Sequence, residues 1–258
     1  MGHRNDESSG GPHYFGVIVV FVCFAAFGAT MRLASGVSSA DGASGDAVPA
    51  SSTDRVVVEA LPAAELRALA QQTTLRVAAR GCGEVIHGSG FIVGDWLLTN
   101  EHLVNGVGEL KADQPIEPII VPVVGVSASA DLAAAVAPPG VSLALSLVPP
   151  EVGDTVLLAG HADGESVEVQ AGVVTNLVPG SAYGLGSEVL LIDATTRGGY
   201  SGGPVLDAAG DVVAILSGFD RTTGLTVAVP AEAISNFVEM LPQANTADPD
   251  GARVCSGR

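Results

Sequence analysis

Residues 196–206 read T-R-G-G-Y-S-G-G-P-V-L, with the apolar run Leu190-Leu191-Ile192 before them and Val205-Leu206 at their end. A serine hydroxyl that is to attack a carbonyl must stand exposed on a tight turn. Neighbouring backbone N–H groups, here those of Gly199 and Ser201, must then converge on the oxyanion that forms. Only glycine lets the backbone turn that sharply and a substrate approach it that closely. A glycine-rich hairpin between two strands would use the same letters. The rest of the chain must therefore supply a base and an orienting acid.

Residues 88–104, G-S-G-F-I-V-G-D-W-L-L-T-N-E-H-L-V, give a Gly-x-Gly turn, a strand, a turn at Gly94-Asp95, a second strand and then Thr99-Asn100-Glu101-His102. Together with Gly-x-Ser-Gly-Gly-Pro, this segment resembles the chymotrypsin-like serine proteases, whose base sits in a Thr-x-x-His segment after such a hairpin. The resemblance implies that His102 is the general base, taking the proton of Ser201 and handing it to the leaving amine. Glu101 stands where the family usually has a small residue, and its carboxylate is expected to face solvent. Asp131, which opens the apolar run D-L-A-A-A-V, resembles the family's acid. Asp113 competes for that role but follows Lys111 in a polar stretch. The order His102, Asp131, Ser201 is that of the chymotrypsin class and differs from the α/β-hydrolases and subtilisins.

The same resemblance places Thr195 near the base of the primary substrate pocket and Ser217, Gly218 and Phe219 on its wall. With no acidic residue there, small or medium apolar side chains are the expected substrates. Tyr200 departs from the digestive members, where an aspartate pairs with a new N-terminus after zymogen cleavage, so that activation route is excluded. A protease-fold module that binds or senses peptides without cleaving them is the alternative, motivated by Glu101, Tyr200 and the lack of a separate peptide-recognition domain.

Composition bounds the partners. The 258 residues carry a formal net charge of −17 with 11 Lys and Arg together, which repels phosphate backbones and makes nucleic acid an unsuitable partner. Neither a metal-ligand cluster nor a phosphate-binding glycine loop is visible, so no cofactor is expected.

Residues 1–13 form a polar tail, and residues 14–33 are almost wholly apolar. The apolar part, about 17 residues, lies in length between a signal-peptide core and a full span, leaving an uncleaved anchor, a cleaved signal and a buried helix as readings. The first two send the rest of the chain out of the cytoplasm. Residues 34–58 are rich in Ser, Gly, Ala and Asp and read as a flexible tether. Residues 59–258 read as the protease domain.

Within it, residues 61–72 carry Leu61, Leu66 and Leu69 at helical spacing. After them the period becomes strand-like: 75–79, 83–93, 96–99, 116–124, 132–136, 155–159, 165–174, 188–194, 204–206, 212–218 and 225–230. Residues 231–241 return to helical spacing, with Pro242 as a stop. About eleven short strands with turn residues between them predict an all-β fold of closed antiparallel sheets. That the sheets are two six-stranded barrels is implied by the resemblance and not by periodicity.

Of the three cysteines, Cys23 lies in the apolar segment, Cys82 before the hairpin and Cys255 near the C-terminus. In an exported domain, Cys82 and Cys255 suggest a disulfide tying the tail to the first barrel, with two free thiols as the alternative. R-G-C-G-E-V-I-H-G-S-G-F-I-V and the late G-A-R-V-C-S also resemble the MarP-type membrane-anchored periplasmic serine proteases, which carry a disulfide between similar positions.

Overall fold

The computed structural model describes residues 59–81, 84–104, 107–146 and 148–241. The expected anchor and tether, and with them Cys23, Cys82, Cys255 and the expected disulfide, lie outside the described residues. Among the described residues no helix is long and apolar enough to cross a membrane.

The chain enters through α1 (Ala63–Thr73). The first barrel follows as β1 (Leu75–Gly81), β2 (Glu84–Val93), β3 (Trp96–Thr99), a single helical turn α2 (Glu101–Val104), β4 (Glu109–Ala112), β5 (Ile119–Ser127) and β6 (Leu132–Val136), closed in the order β1-β2-β3-β6-β5-β4. The second consists of β7 (Thr155–Gly160), β8 (Glu168–Pro179), β9 (Glu188–Asp193), β10 (Pro204–Leu206), β11 (Val212–Phe219) and β12 (Thr226–Pro230), closed in the order β10-β11-β12-β9-β8-β7. All pairings between these strands are antiparallel. The two six-stranded barrels implied by the resemblance are thus present.

Strand β4 was absent from the sequence reading. Its four residues alternate Glu109 and Lys111 outward with Leu110 and Ala112 buried, so its apolar content is two side chains and its charges read as a loop. Strand β5 starts three residues later than expected and runs on to Ser127, and β8 runs five residues beyond 174 to Pro179.

Alternation within each strand fills the barrels. Val77, Leu97, Leu110, Ala133 and Ala135 pack inside the first, and Leu158, Leu190, Ile192, Val205, Ala214 and Leu216 inside the second. A third cluster, including Phe91, Leu98, Leu132, Val189 and Ile215, runs between the barrels and fixes one against the other. Leu98 is fully buried there, opposite Phe91 on β2 and Ala134 on β6. Leu98→Ala should cost about 2–5 kcal/mol of stability, because the sheets on either side restrict collapse into the cavity. Denaturant unfolding reads this directly, and a change below about 1 kcal/mol would show that the seam can close.

The two terminal helices reinforce that seam. α1 leads into the first barrel but packs on β7 and β8 of the second, with Leu61, Leu66 and Leu69 gathered over Gly210. Helix α3 (Ala231–Met240) follows β12 and buries Ile234 and Phe237. Leu241, directly after it, presses against Gly125 of the first barrel, where a Cβ would meet its Cδ2 at 2.3 Å. Helix α1 therefore covers the second barrel, while α3 packs on β11 and β12 of its own barrel and reaches across the seam to β6.

Candidate active site

The loop after β9 places Ser201 at the seam. Tight turns made by Tyr200 N–H to Arg197 O (3.2 Å) and Gly203 N–H to Tyr200 O (2.9 Å) bracket it. Gly199 and Gly202 sit at φ 91° and 82°, a left-handed conformation that side chains disfavour. There is no space for a Cβ either, since one on Gly199 would lie 2.1 Å from His161 O and one on Gly202 2.1 Å from Ser89 O. The loop is also fastened to the first barrel, with Ser89 N–H donating to Ser201 O (2.8 Å) and Ser89 Oγ to Gly199 O (2.7 Å). The N–H groups of Gly199 and Ser201 have no acceptor among the described residues.

His102 and Asp131 meet from two sides of the first barrel. His102 lies in α2, directly after β3, and Asp131 directly before β6. Asp131 adopts φ 52°, a left-handed position that aspartate tolerates better than most residues. Its carbonyl accepts the Asn100 amide at 2.9 Å. Its nearly buried carboxylate receives the His102 N–H (3.1 Å), faces His102 Nδ1 with both oxygens (2.9 and 3.0 Å) and accepts Ser217 Oγ–H (2.5 Å). A carboxylate only accepts, so Nδ1 carries the proton and Nε2 keeps a lone pair. The ring itself is 44% exposed on the side chain, open to a substrate. Asp113, the competing acid, pairs with Arg76 instead.

Ser217 joins the two halves. Its hydroxyl goes to Asp131, while its carbonyl accepts Ser201 Oγ–H at 3.3 Å. The sequence placed Ser217 only on a substrate wall. Its contact with the acid depends on how β11 of the second barrel lies against the first, which no local pattern reports. Gly218 and Phe219 line a cleft of about 360 Å³ beside His102 and Asp131, together with Tyr183, Leu185 and Val227. Tyr183 and Leu185, which sequence reasoning missed, come from a 3-10 turn (Gly180–Tyr183) and the residues after it. Thr195 is exposed, with its carbonyl held by Gln170 Nε2 (2.5 Å). Its neighbour Thr196 is buried, sharing a hydrogen bond with Thr226 Oγ1 (2.8 Å), which donates in turn to Ala194 O (2.9 Å).

Behind the Ser201 loop, Tyr200 is 3% exposed. Its hydroxyl donates to Glu168 Oε2 at 3.2 Å. Burial, then the charge and hydrogen bond of Glu168, push its phenol up to about 12. This lies above the ordinary value of 10, so the folded chain keeps the proton where an unfolded one loses it. Stability tied to Tyr200 is therefore complete below pH 10 and is lost between pH 10 and about 12. An ultraviolet tyrosinate titration, compared with Tyr200→Phe, should show that the variant loses the latest-ionising of the three tyrosines, Tyr183 being raised as well by burial and Asp220. Identical curves would refute the shift.

His161 is a loop residue, its ring set between Glu165 O (2.8 Å) and Thr74 O (3.2 Å). Among the described residues no group of three or more His, Cys, Asp or Glu could hold a metal ion.

Two closed antiparallel six-stranded barrels define the chymotrypsin-like fold class. Residues 88–215 match the family described as "Trypsin-like peptidase domain". The chain is 30% identical over 183 residues to HhoA of Synechocystis sp., a protein named as a serine protease, covering 62% of this chain and 43% of that protein. It is 27% identical over 166 residues to the serine protease Rv3671c of Mycobacterium tuberculosis, covering 59% and 42%. It thus spans less than half the length of either relative. The active form of the Rv3671c protease superposes with a TM-score of 0.63 at 21% identity, covering 68% of this chain and 83% of that one. A serine endoprotease from Yersinia pestis gives 0.60 at 23% identity, covering 70% and 66%.

Proposed function

We propose that this chain is a serine endopeptidase that works outside the cytoplasm. The observation that carries the reading is the Asp131 carboxylate, which orients His102 through Nδ1 and reaches Ser217, whose carbonyl touches the Ser201 hydroxyl. In this reading a substrate carbonyl enters above Ser201, His102 Nε2 takes the Ser201 proton, and Oγ bonds to the carbonyl carbon. The N–H groups of Gly199 and Ser201 stabilise the oxyanion. The imidazolium, held by Asp131, then protonates the leaving amine. Water, activated by the same ring, releases the acyl group and restores Ser201.

Small or medium apolar side chains suit this reading, since Val227 lines the cleft beside His102. Leu185 and Phe219 beside His102 add apolar surface for the neighbouring substrate residue. The apolar segment 14–33 supports an extracytoplasmic setting, with membrane attachment if it is retained.

The test is a fluorophosphonate probe applied to the purified chain, followed by mapping of the labelled peptide and measurement of an acyl-enzyme burst with a peptide ester. Labelling of Ser201 with a burst is expected. Peptide binding without label or burst would support the non-cleaving module instead.

A further inference from the structure

Gly198 and Gly199 have no side chains to hold them, yet the direction of the peptide between them decides whether an N–H or a carbonyl faces the reacting carbonyl of a substrate. In the structure the Gly198 carbonyl accepts the Asp163 N–H at 2.7 Å. Across a trans peptide the N–H of Gly199 then points the opposite way. Asp163 itself sits in the left-handed region, φ 52° and ψ 21°, which aspartate tolerates but does not favour over right-handed backbone, so outside contacts help to hold its N–H where it is. That support comes from residue 197. Arg197 Nε donates to Asp163 Oδ2 at 2.9 Å, and its terminal NH2 group pairs with Glu168 Oε1. Glu168 belongs to β8 and is registered opposite Gly160 of β7, so it is fixed by the sheet. Its second oxygen receives the Tyr200 hydroxyl. Residues 197 and 200, the two flanks of the diglycine, are thus bound to one carboxylate on a rigid strand.

We infer that Arg197 is a positioning residue, holding the Gly198–Gly199 peptide with its N–H toward the oxyanion through Asp163 and Glu168. The inference rests on the reading of Ser201 as nucleophile. The fork geometry of the guanidinium matters, since it reaches two carboxylates on different elements at once, which a lysine cannot do. Arg197, Asp163 and Glu168 side chains are 53%, 66% and 43% exposed. Such open ion pairs contribute little to global stability, so their loss acts on the loop and leaves the barrels intact.

Arg197→Ala should lower kcat about 10- to 100-fold, somewhat less than removal of one oxyanion donor outright, with KM within about twofold. Affinity for a peptide aldehyde, whose hemiacetal oxygen needs the same N–H groups, should fall in step with kcat. Glu168→Gln should follow in the same direction, and Arg197→Lys should recover part of the rate. The thermal midpoint should move by no more than about 2 °C. Hydrogen–deuterium exchange over residues 196–203 should rise in Arg197→Ala, a readout independent of turnover. An unchanged kcat with unchanged exchange, or a rate loss matched by a large drop in thermal midpoint, would overturn the inference. A wild-type chain that neither cleaves nor labels would instead sink the reading of Ser201, while the exchange data would still decide the role of Arg197.

Discussion

Ser201→Ala is expected to lower peptide hydrolysis by about 10⁶-fold and to abolish fluorophosphonate labelling while the fold persists. The size follows from the chemistry: without Oγ no acyl-enzyme can form, and what remains is the catalysis that the oxyanion site and binding provide alone. The fold persists because the hydroxyl makes only one long hydrogen bond, 3.3 Å to Ser217 O. The backbone bonds that shape the loop, Ser89 N–H to Ser201 O and Gly203 N–H to Tyr200 O, do not involve it. The change in unfolding free energy should stay near the net value of a single hydrogen bond, about 1 kcal/mol. Activity assay, labelling and denaturant unfolding of the variant and wild type together provide the check. Labelling that survives at wild-type level would place the nucleophile elsewhere.

Which parts of this site were legible in the sequence depends on whether they are set locally. The glycines around Ser201 announce themselves, because positive φ and backbone approach to His161 and Ser89 admit no other residue. The hairpin that delivers His102 is equally local, two strands joined at Gly94 and followed by a short helical turn. Asp131 could be found from its place at the head of the apolar strand β6. Contacts set by strand register across long separations were not legible. Ser217 reaches Asp131 over 86 positions, and Arg197 reaches Asp163 and Glu168 over 34 and 29. Likewise, the sequence names Thr195 but does not show which of Thr195 and its neighbour Thr196 is buried. Only the alternation of burial approaching the loop turns Thr196 inward to Thr226 and leaves Thr195 outside.

The second large effect separates the two acids. Asp131→Asn should lower kcat by about 10⁴-fold. The carboxylate accepts three donors, the His102 N–H, the Nδ1–H and the Ser217 hydroxyl. An asparagine amide offers one oxygen and one NH2 in their place. If the NH2 faces His102, Nδ1 must become the acceptor, the proton moves to Nε2, and the ring can no longer take the Ser201 proton. If the oxygen faces His102, the NH2 points at the Ser217 hydroxyl, and no anion is left to stabilise the imidazolium that forms during the reaction. Either arrangement removes transition-state stabilisation with little effect on substrate binding, so KM should change far less than kcat. Asp113→Asn removes only a half-exposed pair with Arg76 and should keep the rate within about tenfold of wild type. Steady-state kinetics on both variants decides the matter. A large loss in Asp113→Asn with near-normal activity in Asp131→Asn would reverse the assignment, and with it the argument that the head of β6, rather than the charged strand β4 region, supplies the group that orients His102.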